Sequence, residues 1–287
     1  MPELCPSWAR PIGSRSARAD TRSSLKEGRD LMGGSFCVQG IEPHQRDTFR
    51  AMVEALRRAA WRLRRWYAQR RRYRGSLREV RRAFPGLPVT PGVVSEEEKA
   101  LEVFYRRYVG SVSPAHMTAS WEVCLFLHRL VRLESLRRVS DIGSGFSSFI
   151  LRSAVAGLSP PGFVHSVEND PEWKERTAQF LDSDASGRGA LMGIERFLAD
   201  PQAVDLDLIF HDLGGLDKRV SLFPVVLSRL RPGGVLVADD VHKPQVRSGL
   251  LRALRPGDEV VDLFANTHDA FGRHSLAVRV RSSVRAR

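Results

Sequence analysis

Residues 139–149 read VSDIGSGFSSF. An apolar run reaches Asp141, then gives way to Gly143, Ser144 and Gly145. Glycines in such a loop let backbone N–H groups and a helix N-terminus come close to a ligand. Glu168 follows 25 residues after Gly143, and a carboxylate there can accept both hydroxyls of a ribose. Farther along, Asp212 lies in DLIFHDLGG, and Asp239 and Asp240 end VLVADD, with His211 and His242 flanking them. Imidazoles beside carboxylates suit proton transfer. His268 and Arg273, in NTHDAFGRHS, are candidates for lining an acceptor pocket or for a plain turn.

These residues need strands and helices to hold them. The sequence alternates between the two from residue 138 onward. RRVSDIG, GFVHSVEND, ALMGIE, DLDLIFHDLGG and GVLVADD read as strands. SSFILRSAVAG, PEWKERTAQFLDS, LDKRVSLFPVVLSRL and KPQVRSGLLRAL read as helices between or after them. Asp170 is placed to cap its helix, with Pro171 in the first turn. EVVDLFA and SLAVRVR are two further strands. The connection between them is too short for a parallel crossover and carries no helix in this reading, so they should pair antiparallel. The expected fold is an α/β, doubly wound, mostly parallel seven-stranded sheet with an antiparallel last strand, plus an N-terminal helical extension. In such sheets ligands sit outside the carboxyl ends of the strands, which is where the 141–148 loop falls.

The loop alone leaves the ligand open between a dinucleotide and S-adenosylmethionine. A dinucleotide fingerprint wants a third glycine where Ser148 stands. Asp141 just ahead of the loop would repel a pyrophosphate and could bind the cationic amino group of an amino-acid-like ligand. Glu168 suits either one. The antiparallel finish after LRPGGVLVADD is unlike a dehydrogenase nucleotide half.

On VSDIGSGFSSF, HSVENDPEW, DLIFHDLGG and LRPGGVLVADDVH, residues 118–281 resemble the class I S-adenosylmethionine-dependent methyltransferases. Ser147 stands where the third glycine of that family's loop belongs. The resemblance implies that Asp141, Gly143, Ser144 and Gly145 hold the methionine moiety. It implies that Glu168 holds the ribose, with Asn169 near it, and that an adenine pocket lies around Glu195. Asp212 would face the sulfonium or the acceptor. Metal-dependent O-methyltransferases of this fold hold a divalent cation with an acid after the fourth strand and an Asp-Asn pair after the fifth. Asp212, Asp239 and Asp240 are similar to that set, with Asp240 where Asn would be, and their oxygens would suit Mg2+ or Mn2+. Without a metal, His242 or His211 would be the general base. Strand alternation turns His211 and Asp212 to opposite faces, so the two should not serve one site. The expected catalytic residues are Asp212, Asp239 and His242.

Charge divides the chain unevenly. Residues 1–100 carry 21 Lys and Arg against 11 Asp and Glu, and the remainder is near neutral. Residues 1–42 are rich in Gly, Ser, Pro and Arg and are read as disordered, with Met32 and Met52 as alternative starts. From His44, Phe49, Met52, Val53, Leu56, Ala60, Leu63 and Tyr67 recur at helical spacing. Nine arginines and no acid lie between Arg57 and Arg74, and Gly75 is the expected stop. Such a basic amphipathic helix suits packing on the body, nucleic acid, or an anionic membrane surface through residues 44–74. FPGLPVTPGVV, at 84–94, reads as a linker, and Ser95 with Glu98 forms a capping box before the next helix. Three scattered cysteines with no CxxC exclude a disulfide framework or zinc site and suit a cytoplasmic setting. The expected domains are 1–42, a basic extension at 43–117 and the methyltransferase domain at 118–287. The expected activity is methylation of a small-molecule acceptor, most simply at a hydroxyl oxygen. The alternatives are an RNA or protein methyltransferase docking through the basic helix, or a non-catalytic cofactor-binding protein. A homo-oligomer is an open expectation.

Overall fold

The computed structural model describes residues 43–88, 95–184 and 188–281, without the side chains of 43–48 and 183–184. The disorder expected for 1–42 and most of the linker at 84–94 fall outside these residues. Seven strands form one sheet in the order β3-β2-β1-β4-β5-β7-β6. They are β1 (Arg138–Ile142), β2 (Phe163–Val167), β3 (Gly189–Met192), β4 (Leu206–His211), β5 (Leu230–Ala238), β6 (Glu259–Asp262) and β7 (Leu276–Arg279). Strand β7 runs antiparallel to both β5 and β6, and the β1–β5 pairings are parallel. The sequence expectation of a mostly parallel sheet with an antiparallel last strand holds.

The helices are α1 (Pro43–Ala83), α2 (Glu96–Ser111), α3 (Trp121–Glu134), α4 (Phe146–Ala156), α5 (Pro171–Asp184), α6 (Ile194–Ala199), α7 (Leu216–Ser228), α8 (Pro244–Ala253) and α9 (Phe264–Thr267). Two of them correct the sequence reading. α1 runs through Gly75, where nothing outside its own helix backbone lies within 4 Å of the Cβ position, and the next residue is anchored. Ser76 Oγ donates to the Asp262 carbonyl at 2.5 Å and accepts from Ala265 N at 2.9 Å. The connection between β6 and β7 is not helix-free, since α9 forms a single turn there.

Packing separates the chain into two units, Met1–Trp61 and Arg62–Arg287. The described part of the first is the opening of α1, whose Phe49, Met52 and Leu56 are exposed. The second holds the rest of α1 and the whole sheet. There α1 covers the β6 edge: Arg72 Nε lies 2.9 Å from Asp262, and Arg82 pairs with Glu259 at 3.1 Å. Closing an edge strand in this way removes a template for unwanted pairing.

Apolar side chains fill both faces of the sheet. Val80, Leu101, Tyr108, Leu127, Phe149 and Val155 belong to one core, and Phe197, Ile209, Phe223, Val246 and Leu250 to the other. α2 and α3 share the first core with α4 and β1, so the boundary expected at 117/118 is not a break in packing. The Ser95 capping box forms, and Glu98 within it pairs with buried Arg129 at 2.6 Å.

Candidate active site

Strand register builds the site. Val167, Ile142, His211 and Ala238 lie in one row across the parallel strands. The residues that follow them are Glu168, Gly143, Asp212 and Asp239, so four of the expected site residues emerge on the same rim. Ser275 precedes Leu276 on antiparallel β7 and meets that rim from the other direction, donating to Asp239 Oδ1 at 2.7 Å.

The rim opens into a cavity of about 600 Å3, within the roughly 300–1,000 Å3 usual for ligand pockets. Gly143, Ser144, Gly145, Glu168, Asp212, Asp239, Asp240, His242 and Arg273 all line it. Gly143 has φ +110°, and a Cβ there would lie 2.6 Å from the Asp212 carbonyl carbon. Only glycine fits where the ends of β1 and β4 approach so closely. α4 starts after Gly145 with no side-chain cap, and the loop before it is closed by the Gly143 and Ser144 N–H groups, which both donate to the Val167 carbonyl at 3.0 Å. Glu168 Oε1 accepts from the N–H groups of Asn169 and Asp170, which fixes the carboxylate at the cavity wall. Its burial raises its pKa, against the pull of those two N–H groups. The cradle fits S-adenosylmethionine: a fixed carboxylate for its ribose and a glycine loop that allows close approach of its methionine end.

Several residues take other posts. Asp141 is fully buried and does not line the cavity. Its Oδ2 accepts from Ser147 at 2.8 Å and from Ser148 at 2.5 Å, so it braces the first turn of α4 from beneath. Burial pushes its pKa up to about 7, against the lowering effect of the two serines. Asn169 also faces away, accepting from Ile194 N at 2.9 Å at the start of α6. Glu195 lies in α6 outside the cavity lining. His268 is exposed and stacks on Phe264, with ring centroids 4.4 Å apart. His211 is buried beneath the rim, where it donates to the Arg219 carbonyl at 3.0 Å and meets Phe223 edge-on. Burial brings its pKa down to about 4, and a base so enclosed cannot reach an acceptor.

The acid trio is not a metal centre. Arg219, in the first turn of α7, reaches back so that Nη2 lies 2.7 Å from Asp212 Oδ1 and Nη1 3.0 Å from Asp240 Oδ2. Lys243 Nζ also bonds Asp240 Oδ2. Among the described residues no group of three His, Cys, Asp or Glu is arranged to hold a metal ion. The expected Asp212, Asp239 and Asp240 set therefore does not fit a divalent cation, because the space between two of them holds a guanidinium. Burial raises the pKa of Asp212 despite Arg219, with Asp239 and Asp240 adding to the rise. Burial opposes Asp240 as well, yet its Lys243 hydrogen bond and the charges of Arg219, Lys243 and His242 hold it below its usual value.

The sequence reading missed Arg219, Lys243 and Trp173. It also missed the loop after α2, whose His116, Met117 and Thr118 complete the wall. Trp173 donates from its indole to the Ser144 carbonyl at 2.8 Å. Arg273 fastens the loop after α2 by donating to the carbonyls of Ala115, His116 and Thr118 while paired with Asp269 at 2.6 Å. A basic residue four places after the strand-end glycines was the one available signal for Arg219.

Residues 141–241 match the family described as "Methyltransferase domain". That match spans about a third of the chain, and over it the chain is similar to methyltransferases. Its fold recurs in solved structures at low identity. An O-methyltransferase from Bacillus cereus in complex with SAH is 19% identical, with a TM-score of 0.53, covering 67% of this chain and 94% of that one. The cofactor-bound Rv0187 from MTB is 20% identical, with a TM-score of 0.51 and coverage of 67% and 94%. The SAH-bound methyltransferase PaMTH1 from Podospora anserina is 14% identical, with a TM-score of 0.50 and coverage of 64% and 88%. No curated protein matches the sequence significantly. Among the described residues no helix is long and apolar enough to cross a membrane.

Proposed function

We propose that this methyltransferase transfers the methyl group of S-adenosylmethionine to a hydroxyl oxygen of a small-molecule acceptor, with His242 as general base. The observation that carries this reading is that His242 shares one cavity with the glycine loop and Glu168. His242 Nδ1 lies 3.6 Å from Asp240 Oδ1, so the carboxylate can orient the ring and leave Nε2 for the acceptor. Bound S-adenosylmethionine supplies a methyl group already activated on a sulfonium, which leaves positioning as the main task of the protein. Gly143, Ser144 and Gly145 hold the methionine end, and Glu168 the ribose. Asp141 supports them from below through Ser147 and Ser148. His242 takes the acceptor proton as the oxygen bonds to the methyl carbon and the carbon–sulfur bond breaks. Asp212 and Asp239 line the same cavity and set its charge through Arg219 and Ser275. The Bacillus cereus neighbour is an O-methyltransferase by name, which favours oxygen as the acceptor atom. A cytoplasmic location belongs to the same reading.

Calorimetry with S-adenosylmethionine, followed by labelled-methyl transfer to a panel of phenols and alcohols, tests it. Micromolar binding and transfer to oxygen are expected. Failure to bind the cofactor would sink the reading.

A second reading keeps the chemistry and changes the acceptor to RNA. It is favoured by a groove of about 740 Å3 on α1, lined by Trp66, Tyr67, Arg70, Arg71, Arg74 and Arg78 among others. Arg70 sits 5.0 Å from the Trp66 ring centroid, a pairing of cation and aromatic face that single-stranded nucleic acid can use. Charge-neutralising replacements of Arg70, Arg71 and Arg74 discriminate. Small-molecule turnover should survive them, whereas salt-dependent RNA methylation should be lost.

A further inference from the structure

We propose that the Arg219 guanidinium stands in for a divalent cation at the acid rim, so that the site is organised by a cation belonging to the chain and binds neither Mg2+ nor Mn2+. The geometry comes from three strand ends. Asp212 follows β4, Asp239 and Asp240 follow β5, and all three carboxylates are engaged. Asp212 Oδ1 and Asp240 Oδ2 receive the two terminal nitrogens of Arg219 at 2.7 and 3.0 Å. Asp240 Oδ2 also receives Lys243, and Asp239 Oδ1 receives Ser275 at 2.7 Å. Arg219 Nη2 bonds the backbone as well, at 2.8 Å to the Asp212 carbonyl and 3.3 Å to that of Gly214.

A hard divalent ion would claim the same carboxylate lone pairs at roughly 2.0–2.6 Å. It would then lie within a few ångströms of a buried guanidinium that stays charged at all working pH values. The two cations exclude each other. Arg219 is also only 6% exposed, and swinging it into solvent would take from Asp212 its paired cation while leaving Asp240 with Lys243 alone.

The position of Arg219 in its helix supports the same conclusion. It lies in the first turn of α7, where the helix dipole disfavours a positive charge. Nothing in the helix itself calls for arginine there. Asp212 and Asp240 supply the attraction, and His211 pins the backbone by donating to the Arg219 carbonyl at 3.0 Å. The planar fork bridges two carboxylates on neighbouring strands, which is the task a bridging metal ion would otherwise perform. On this view Arg219 is a positioning residue. It fixes Asp240, and Asp240 in turn faces His242.

The test uses the full chain treated with a chelator. Mn2+ is titrated by electron paramagnetic resonance, and S-adenosylmethionine by calorimetry, in EDTA and again with Mg2+. The wild type should bind no Mn2+ in the micromolar range, and its cofactor affinity should be the same in both buffers. Stoichiometric micromolar Mn2+ binding, or cofactor affinity lost in EDTA and restored by Mg2+, would overturn the proposal. Arg219→Met takes the guanidinium off Asp212 and Asp240 and leaves only Lys243 on Asp240. If circular dichroism shows it folded, it should gain Mn2+ binding over the wild type, and Arg219→Lys should gain none. A folded Arg219→Met that binds no more Mn2+ than the wild type also overturns the proposal. If it does not fold, the wild-type titrations decide alone. Loss of cofactor binding in every buffer would count against the methyl-transfer reading and leave the Mn2+ result interpretable.

Discussion

Ser147 donates a 2.8 Å hydrogen bond to Oδ2 of Asp141, a carboxylate with no exposed surface. In the sequence Ser147 was the misfit of the glycine loop. In the structure it and Ser148 are the partners that Oδ2 of this buried acid requires, because an ionised carboxylate away from water is costly unless hydrogen-bonded. The opposite oxygen, Oδ1, has no partner. Asp141 therefore works underneath the loop, setting the first turn of α4, and the cavity sees only the backbone it supports.

The pH dependence of stability follows from this burial. An unfolded Asp titrates at about 3.9, whereas burial takes Asp141 in the folded chain up to about 7. Between those values the folded state holds a proton that the unfolded state has released. The contribution is complete below the unfolded pKa and is lost as pH rises through the folded one. Asp141→Asn cannot ionise, so it should gain on the wild type between about pH 4 and pH 7, at about 1.4 kcal/mol for each pH unit of displacement. Urea unfolding of both proteins at acidic and mildly alkaline pH checks this. A stability difference that does not change with pH would show that Asp141 is ionised throughout.

Cofactor binding depends on Glu168 in a separable way. Its Oε1 is occupied by the N–H groups of Asn169 and Asp170, so the carboxylate is held in place before any ligand arrives. Hydrogen bonds to a charged group are worth about 1.5–3 kcal/mol. Glu168→Gln should therefore weaken S-adenosylmethionine by about tenfold to a hundredfold. Calorimetry reads the change directly, and Asn169→Ala, whose side chain serves α6 instead, should change affinity far less. Equal losses in both variants would mean that the loop as a whole has moved.

The row of strand ends explains which parts of the site could be foreseen. Gly143, Glu168, Asp212 and Asp239 each follow an apolar run, so strand periodicity and sheet topology were enough to bring them together. Arg219 was hidden because its role depends on reaching back from α7 over its own N-terminus, against the helix dipole. The wall after α2 was hidden for another reason. His116, Met117 and Thr118 lie more than 150 residues from Arg273, whose guanidinium fastens their loop, and no local pattern encodes that contact. Asp141 and Asn169 were placed at the right strand ends, but which way each side chain points is a packing outcome.

Turnover should isolate His242 from the binding residues. General-base catalysis contributes about a hundredfold to ten-thousandfold. His242→Gln should lower kcat by that order and leave the dissociation constant of S-adenosylmethionine unchanged. An unchanged kcat in the variant would assign the proton transfer to another group.

The length of α1 makes a further, inexpensive prediction. Glycine within a helix costs about 0.5–1 kcal/mol relative to alanine. Gly75 lies inside α1 with nothing within 4 Å of the Cβ position, and Ser76 beyond it is tied to Asp262 and Ala265. Gly75→Ala should therefore stabilise the protein by about that amount without touching the cavity. Denaturant midpoints check the stability, and cofactor affinity serves as the control. A destabilised Gly75→Ala would mean that the backbone turns at Gly75.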